Sequence, residues 1–276
     1  MDHHGNEFLG GLSPPIERYP YKGRQQFLDI FMTAFTNLEH NKTRNASGCI
    51  LFDNISQQTF LHDFLEPSPD TLLSRSWTSY SASEQLILIK MMTAEHSAAL
   101  TTFHQKLYAA VEPTGLVDAL QGFSGKTISG TNRSKQGDGG WAPKRPPHGR
   151  SKKWPSVALE VAVSEKHSKI FSDVRFWLYE SQGDVKIVLA LTVNRGAPEV
   201  TIEKWELQDN RIHRSQKVSI SKSQADDTIT VRGDPLVIEF EKLFLRDSQI
   251  PRETDILIDS DALEKLADSI WCAQDF

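Results

Sequence analysis

The chain has 276 residues, 38% of them apolar and 24% charged, enough for one large packed domain or two small ones and too apolar for a disordered chain. Its net charge of −5, from 31 Lys plus Arg against 36 Asp plus Glu, argues against a protein that coats nucleic acid indiscriminately. No run approaches the ~20 apolar residues of a membrane span. The opening Met1-Asp2-His3-His4 lacks the basic-then-apolar pattern of a secretory signal, and Cys49 and Cys272 form neither a ligand pair nor a disulfide framework, so an intracellular protein (cytoplasm or nucleus) is expected.

Residues 1–22, rich in Gly, Pro and polar side chains, read as a mobile leader. Phe27, Leu28, Phe31, Phe35 and Leu38 recur at helical spacing and predict an amphipathic helix over 24–39. An apolar piece at 49–52, a helix at 59–65 and the breakers Pro67 and Pro69 follow, and 23–90 is expected to form a helical extension. The run 86–92 is apolar but for Lys90. A long helix comes next, with His96, Leu100, Phe103, Leu107 and Val111 on one face and Pro113 at its end. Residues 115–130 read as a short helix, a turn and a strand at Thr127–Ser129, and 131–153 as a polar loop. Val157–Val163 is a β-rich run bounded by Pro155 and Ser164, with Ser164 a candidate N-cap. Ile170, Phe171, Val174, Trp177 and Leu178 mark an amphipathic helix that Gly183 stops. The near-continuous apolar run 185–193 suits a strand buried on both faces, and 200–207 alternates as a half-exposed strand does. Further strands are expected at 228–231 and 236–240, and a last helix at 260–271. A long helix followed by strand, helix, strand, strand is the α/β order of a mixed β-sheet flanked by helices, here spanning 91–276.

Two carboxylates stand out on that layout. Asp138 lies in the loop before the apolar strand, and Glu160 sits inside it between Leu159 and Val161. A glutamate among apolar residues is costly to bury unless paired or metal-bound. Two such carboxylates can hold Mg²⁺, or Mn²⁺, which would activate water and neutralise charge in phosphodiester hydrolysis. The loop nearby is strongly basic, with Arg133, Lys135, Lys144, Arg145, Arg150, Lys152 and Lys153 against the single acid Asp138, a local charge suited to phosphates.

The stretches Ser134-Lys135-Gln136-Gly137-Asp138, Trp141-Ala142-Pro143, Trp154-Pro155-Ser156-Val157-Ala158-Leu159-Glu160-Val161 and Asp173-Val174-Arg175-Phe176-Trp177-Leu178, in that order, resemble a family of uncharacterised fungal proteins with a PD-(D/E)XK nuclease-like domain. The resemblance covers roughly 94–207 and implies a restriction-endonuclease-like fold. It implies that Asp138 and Glu160 are the metal-binding catalytic acids, with Glu95 as a further acidic ligand. Gly137 stands where the family has proline. The motif lysine, two residues after Glu160, is replaced by Ala162. That lysine would orient the attacking water; Lys169 is the first candidate to replace it, then Lys166 and Lys186.

The bland readings are a Glu160 paired structurally with Arg175 or a lysine, an Asp138 serving the turn Gly137-Asp138-Gly139-Gly140, and a basic stretch that is simply solvated. Trp177 and Trp205 read as core. Gly125-Lys126-Thr127 is no phosphate-binding loop, because Leu120 stands where its first glycine belongs. His96 and His104, eight residues apart, do not have the four-residue spacing of a helical metal pair. Three functions remain: a metal-dependent nuclease acting on DNA or RNA, a catalytically inactive nuclease-fold module that binds nucleic acid, and a protein-interaction scaffold. A homodimer is open under each.

Overall fold

The computed structural model describes residues 16–40, 48–66, 71–131, 133–163, 167–223, 225–249 and 251–276. In chain order the elements are β1 (Arg18–Pro20), α1 (Arg24–His40), β2 (Cys49–Asp53), α2 (Gln57–Phe60) continued by a π-helical turn (Leu61–Leu65), α3 (Leu72–Ser76), β3 (Trp77–Ser81), β4 (Leu86–Lys90) and α4 (Ala94–Val111). Two 3₁₀ turns (Glu112–Thr114 and Val117–Ala119) lead to β5 (Leu120–Gly122), β6 (Thr127–Ser129), β7 (Arg133–Gln136), β8 (Gly139–Pro143), β9 (Val157–Val163), α5 (His167–Glu180), β10 (Ile187–Asn194), β11 (Glu199–Gln208) and β12 (Arg211–Lys222). The chain closes with β13 (Ile229–Arg232), β14 (Leu236–Ile238), α6 (Phe240–Phe244), β15 (Ile256–Ile258) and α7 (Ser260–Gln274).

Two sheets carry the fold. The larger has the order β13-β12-β11-β10-β9-β8-β5 and the smaller β1-β2-β4-β3-β7-β6, while β14 and β15 form a separate pair. In the larger sheet β9 and β10 run parallel, whereas β8–β9, β10–β11 and β11–β12 are antiparallel. Successive side chains of a strand face opposite ways, and β9 uses both faces. Val157, Leu159 and Val161 face α4 and share one core cluster with its Phe103 and Leu107, which α7 extends with Leu266 and Ile270. Ala158 and Ala162 pack with Ile170, Val174 and Trp177 of α5. The result is a mixed α/β fold, a mixed sheet flanked by helices. Helix α4 starts where Thr93 accepts a hydrogen bond from the His96 N–H, an ordinary N-cap.

Several expectations need correction. Residues 23–90 are not a helical extension. Their apolar runs are five residues long, too short for a stable helix, and pair instead as β2 and β4 with β3 alongside. Strand pairing also crosses the division expected at 90/91, because β3 pairs with β7. Within the expected leader, Arg18–Pro20 runs parallel to β2; residues 1–15, Ser164 and Lys166 lie outside the described residues. The segment 131–153 is not a loop throughout, since it supplies β7 and a β8 buried along its whole length. The expected half-exposed strand at 200–207 is largely buried, and its charged side chains are paired on both faces: Glu203 with Arg214 on one, Lys204 with Glu239 and Glu206 with Lys242 on the other. Among the described residues no helix is long and apolar enough to cross a membrane.

Candidate functional site

The two sheets meet at Asp138 and Glu160. Strand β8 begins with Gly139 opposite Leu159, so the edge of β9 beyond Leu159 has no ladder partner on that side. Buried main-chain groups need partners, and Asp138 provides one: its Oδ2 accepts the Val161 N–H at 2.7 Å. Lys90, at the end of β4, completes the edge. Its Nζ donates to the Val161 carbonyl at 2.5 Å and to Asp138 Oδ2 at 2.9 Å. His96 of α4 brings Nε2 to 3.2 Å from Asp138 Oδ1.

Glu160 points to the α5 face. Its Oε1 accepts the Trp177 indole N–H at 2.6 Å and lies 3.3 Å from Lys135 Nζ. The same ammonium is 2.7 Å from Asp173 Oδ1, and Asp173 also pairs with Lys169 one helical turn away. The alternating strand puts residue 162 on the same face as Glu160, and Ala162 there is packed against α5. The cation beside Glu160 is thus Lys135 on β7, a strand of the other sheet.

Burial sets the charge states. Removal from water pushes the Glu160 carboxyl up to about 7; Lys135 opposes this, while the neighbouring Asp173 and Asp138 reinforce it. Asp138 is somewhat less buried, and Lys90 and His96 overcome the burial and hold its carboxyl well below the usual range. Asp173 is likewise held low against burial by Lys135 and Lys169. Two small openings reach the cluster among the described residues, of about 20 Å³ beside Lys169 and Asp173 and about 10 Å³ beside Lys90 and His96, each roughly room for one water.

The expected Mg²⁺ (or Mn²⁺) does not fit this arrangement. Among the described residues no three His, Cys, Asp or Glu side chains are grouped to hold a metal ion. Both Asp138 oxygens and Glu160 Oε1 already face cations or N–H donors, and the Lys90 ammonium stands against the oxygens a divalent cation would use.

Of the residues expected at the site, Asp138 and Glu160 come together. Lys169 joins the cluster, but at Asp173. Lys186 does not join; it is exposed and donates to the Gly183 carbonyl. Glu95 is turned elsewhere: its Oε1 meets Arg195 Nε at 2.6 Å beside a cleft of about 240 Å³. One residue along a helix is about 100° of rotation, and it is the next residue, His96, that faces Asp138. The basic stretch divides. Lys135 is 1% exposed and belongs to the core. Arg133 is half-buried beside the Lys169–Asp173 opening. Arg150 is tied to Asp184 and to the carbonyls of Trp154 and Pro155. Lys144, Arg145, Lys152 and Lys153 are exposed. The sequence reading missed Lys90, His96 and Asp173. Lys90 carried a usable signal, since a lysine in an apolar strand poses the same burial problem as Glu160.

No protein-family model and no curated protein matches the chain. Among solved structures it is similar to the crystal structure of a candidate nuclease of the DUF820 family from Anabaena variabilis ATCC 29413, with 13% identity and a TM-score of 0.40, over 77% of this chain and 99% of that one. So distant a likeness adds nothing to the geometry above.

Proposed function

We propose that the chain is a nuclease-like protein in which Asp138, Glu160 and Lys135 form a phosphodiesterase centre for DNA or RNA. One observation carries this reading: an acidic pair on neighbouring segments of one sheet meets a lysine, Lys135, 3.3 Å from Glu160, although residue 162 is alanine. Such a set has the right chemistry. A carboxyl titrating near neutrality can take a proton from water, and a buried ammonium offsets charge developing on a phosphoryl oxygen. Access for a strand requires the two sheets to part at Lys90.

The second reading, a nuclease-fold module without catalysis, is favoured by the burial of the centre and by the neutralisation of its acids by the chain's own lysines. In that reading Lys144, Arg145, Lys152 and Lys153 bind nucleic acid and the buried ions are structural. A cleavage screen separates the two, using single- and double-stranded DNA and RNA with Mg²⁺, Mn²⁺ or EDTA. The nuclease reading expects cleavage by the wild type that falls at least a hundredfold in Asp138→Asn and Glu160→Gln, both checked for folding by circular dichroism. Equal cleavage by all three proteins, or none by the wild type under any condition, overturns it.

A further inference from the structure

We infer that the ion pair of Glu95 with Arg195 is a latch between the cleft at the start of α4 and the buried centre, and that its opening admits a phosphate ester on the free end of a single strand. Two openings share a wall here. The cleft of about 240 Å³ is lined by Leu38, Thr93, Glu95, Arg195 and Gln274 among others, and the opening of about 10 Å³ beside Lys90 and His96 is also lined by Thr93 and Arg195. The other small opening, beside Lys169 and Asp173, shares no lining residue with the cleft. Beyond the shared wall His96 faces Asp138 at 3.2 Å, so the cleft leads to the junction of the sheets at Lys90.

The parts are arranged as a latch requires. Arg195 stands in the turn between β10 and β11. The Asn194 carbonyl in that turn accepts the Gln274 amide of α7 at 3.1 Å, and the Asn194 side chain accepts the Gly196 N–H at 2.8 Å. The turn is held from both sides, which leaves the long Arg195 side chain as the moving part. Glu95 fixes it in the closed position, Oε1 to Nε at 2.6 Å, with the two side chains 9% and 15% exposed. When the pair separates into the cleft, both charges regain water, and that hydration offsets much of the lost attraction. An apolar plug of the same size would gain nothing on opening. The cleft is smaller than the roughly 300–1,000 Å³ of ordinary ligand pockets, which suits one end of a strand and is too narrow for a duplex.

The choice of a phosphate ester rests on the nuclease reading, whereas the latch is tested without nucleic acid, so the two can fail separately. The full chain is treated with diethyl pyrocarbonate, and acylation of each histidine is followed by peptide mass spectrometry. In the wild type the exposed His148 is expected to react and the buried His96 to be protected. Arg195→Ala is expected to speed acylation of His96 about tenfold, as a local opening would, with His104 on the same helix unchanged. The double variant Glu95→Gln/Arg195→Ala leaves no buried charge behind; it is expected to behave alike, and it is read in place of the single variant if that one does not fold. An unchanged His96 rate in the folded variant overturns the proposal. So does a rise at His104 that matches the rise at His96, because general unfolding exposes both.

Discussion

Glu160 is 2% exposed, and its protonation is the part of the cluster most open to direct measurement. Its folded pKa of about 7 lies above the unfolded value of 4.5. The folded state therefore keeps a proton that the unfolded state releases, and this residue's contribution to stability falls as pH rises from 4.5 to 7 and is level above. Glu160→Gln removes the titration while keeping an acceptor for Trp177. Thermal melts should show the variant gaining on the wild type from pH 5 to pH 8; parallel Tm profiles would contradict the assignment. Asp138 and Asp173 work in the opposite sense, since their depressed values add stability that is lost only as pH falls below the ordinary range for a carboxylate. Lys135 holds two of the acids. Lys135→Met leaves buried charge uncompensated and should cost about 3–5 kcal/mol in denaturant unfolding. Adding Glu160→Gln should return part of that loss, and a double variant no more stable than the single would show that the two groups do not interact.

At the level of elements, the turn from β7 into β8 decides where Asp138 goes. Glycine at 137 has a visible reason: a Cβ there would lie 2.5 Å from Trp177 Cζ2 and 3.6 Å from Glu160 Oε1. Proline carries that Cβ, so it would drive the indole off Glu160. Gly140 is equally confined, its Cβ position 2.9 Å from the Val157 carbonyl oxygen and 3.0 Å from Pro155 Cβ, neither of which can swing away. Gly137→Ala and Gly140→Ala should each lose about 1–3 kcal/mol, whereas Gly48→Ala, with its nearest atom at 4.0 Å, should stay within roughly 0.5 kcal/mol. Equal melting temperatures for the three would refute the packing argument. The helical and strand patterns were legible here because period 3.6 and period 2 are local properties: α1, α4, α5, α7, β9 and β10 fall where the residues place them. β12 and β8 were not legible, because their burial comes from neighbours distant in sequence.

For the whole molecule, the junction of the two sheets is the central fact. The smaller sheet sends Lys90 from β4 and Lys135 from β7 into the acids of the larger one, so the strand that ends at residue 90 contributes to the centre. The outer surface carries Lys144, Arg145, Lys152 and Lys153 on one loop. If that loop meets phosphates, changing all four to alanine should weaken duplex binding and flatten the plot of log K against log salt by roughly 0.9 for each phosphate that is no longer neutralised. Fluorescence anisotropy between 50 and 200 mM salt, a range in which such ion pairing acts strongly, reads this directly; an unchanged slope removes the loop from the interface.

The sequence by itself determined the mixed α/β order and singled out Glu160, because hydrophobic period and the cost of a carboxylate in an apolar strand are written along the chain; Asp138, in a glycine-rich turn, was singled out by the resemblance. Tertiary structure alone decided which cations face them. Lys135 looked like one of seven surface charges and is buried; Lys90 looked like an interruption in an apolar run and holds Asp138; Glu95 and His96 differ by one step of a helix, and only packing fixes which one faces Asp138. Pairing between side chains tens of residues apart depends on how two sheets abut, and no local pattern records that.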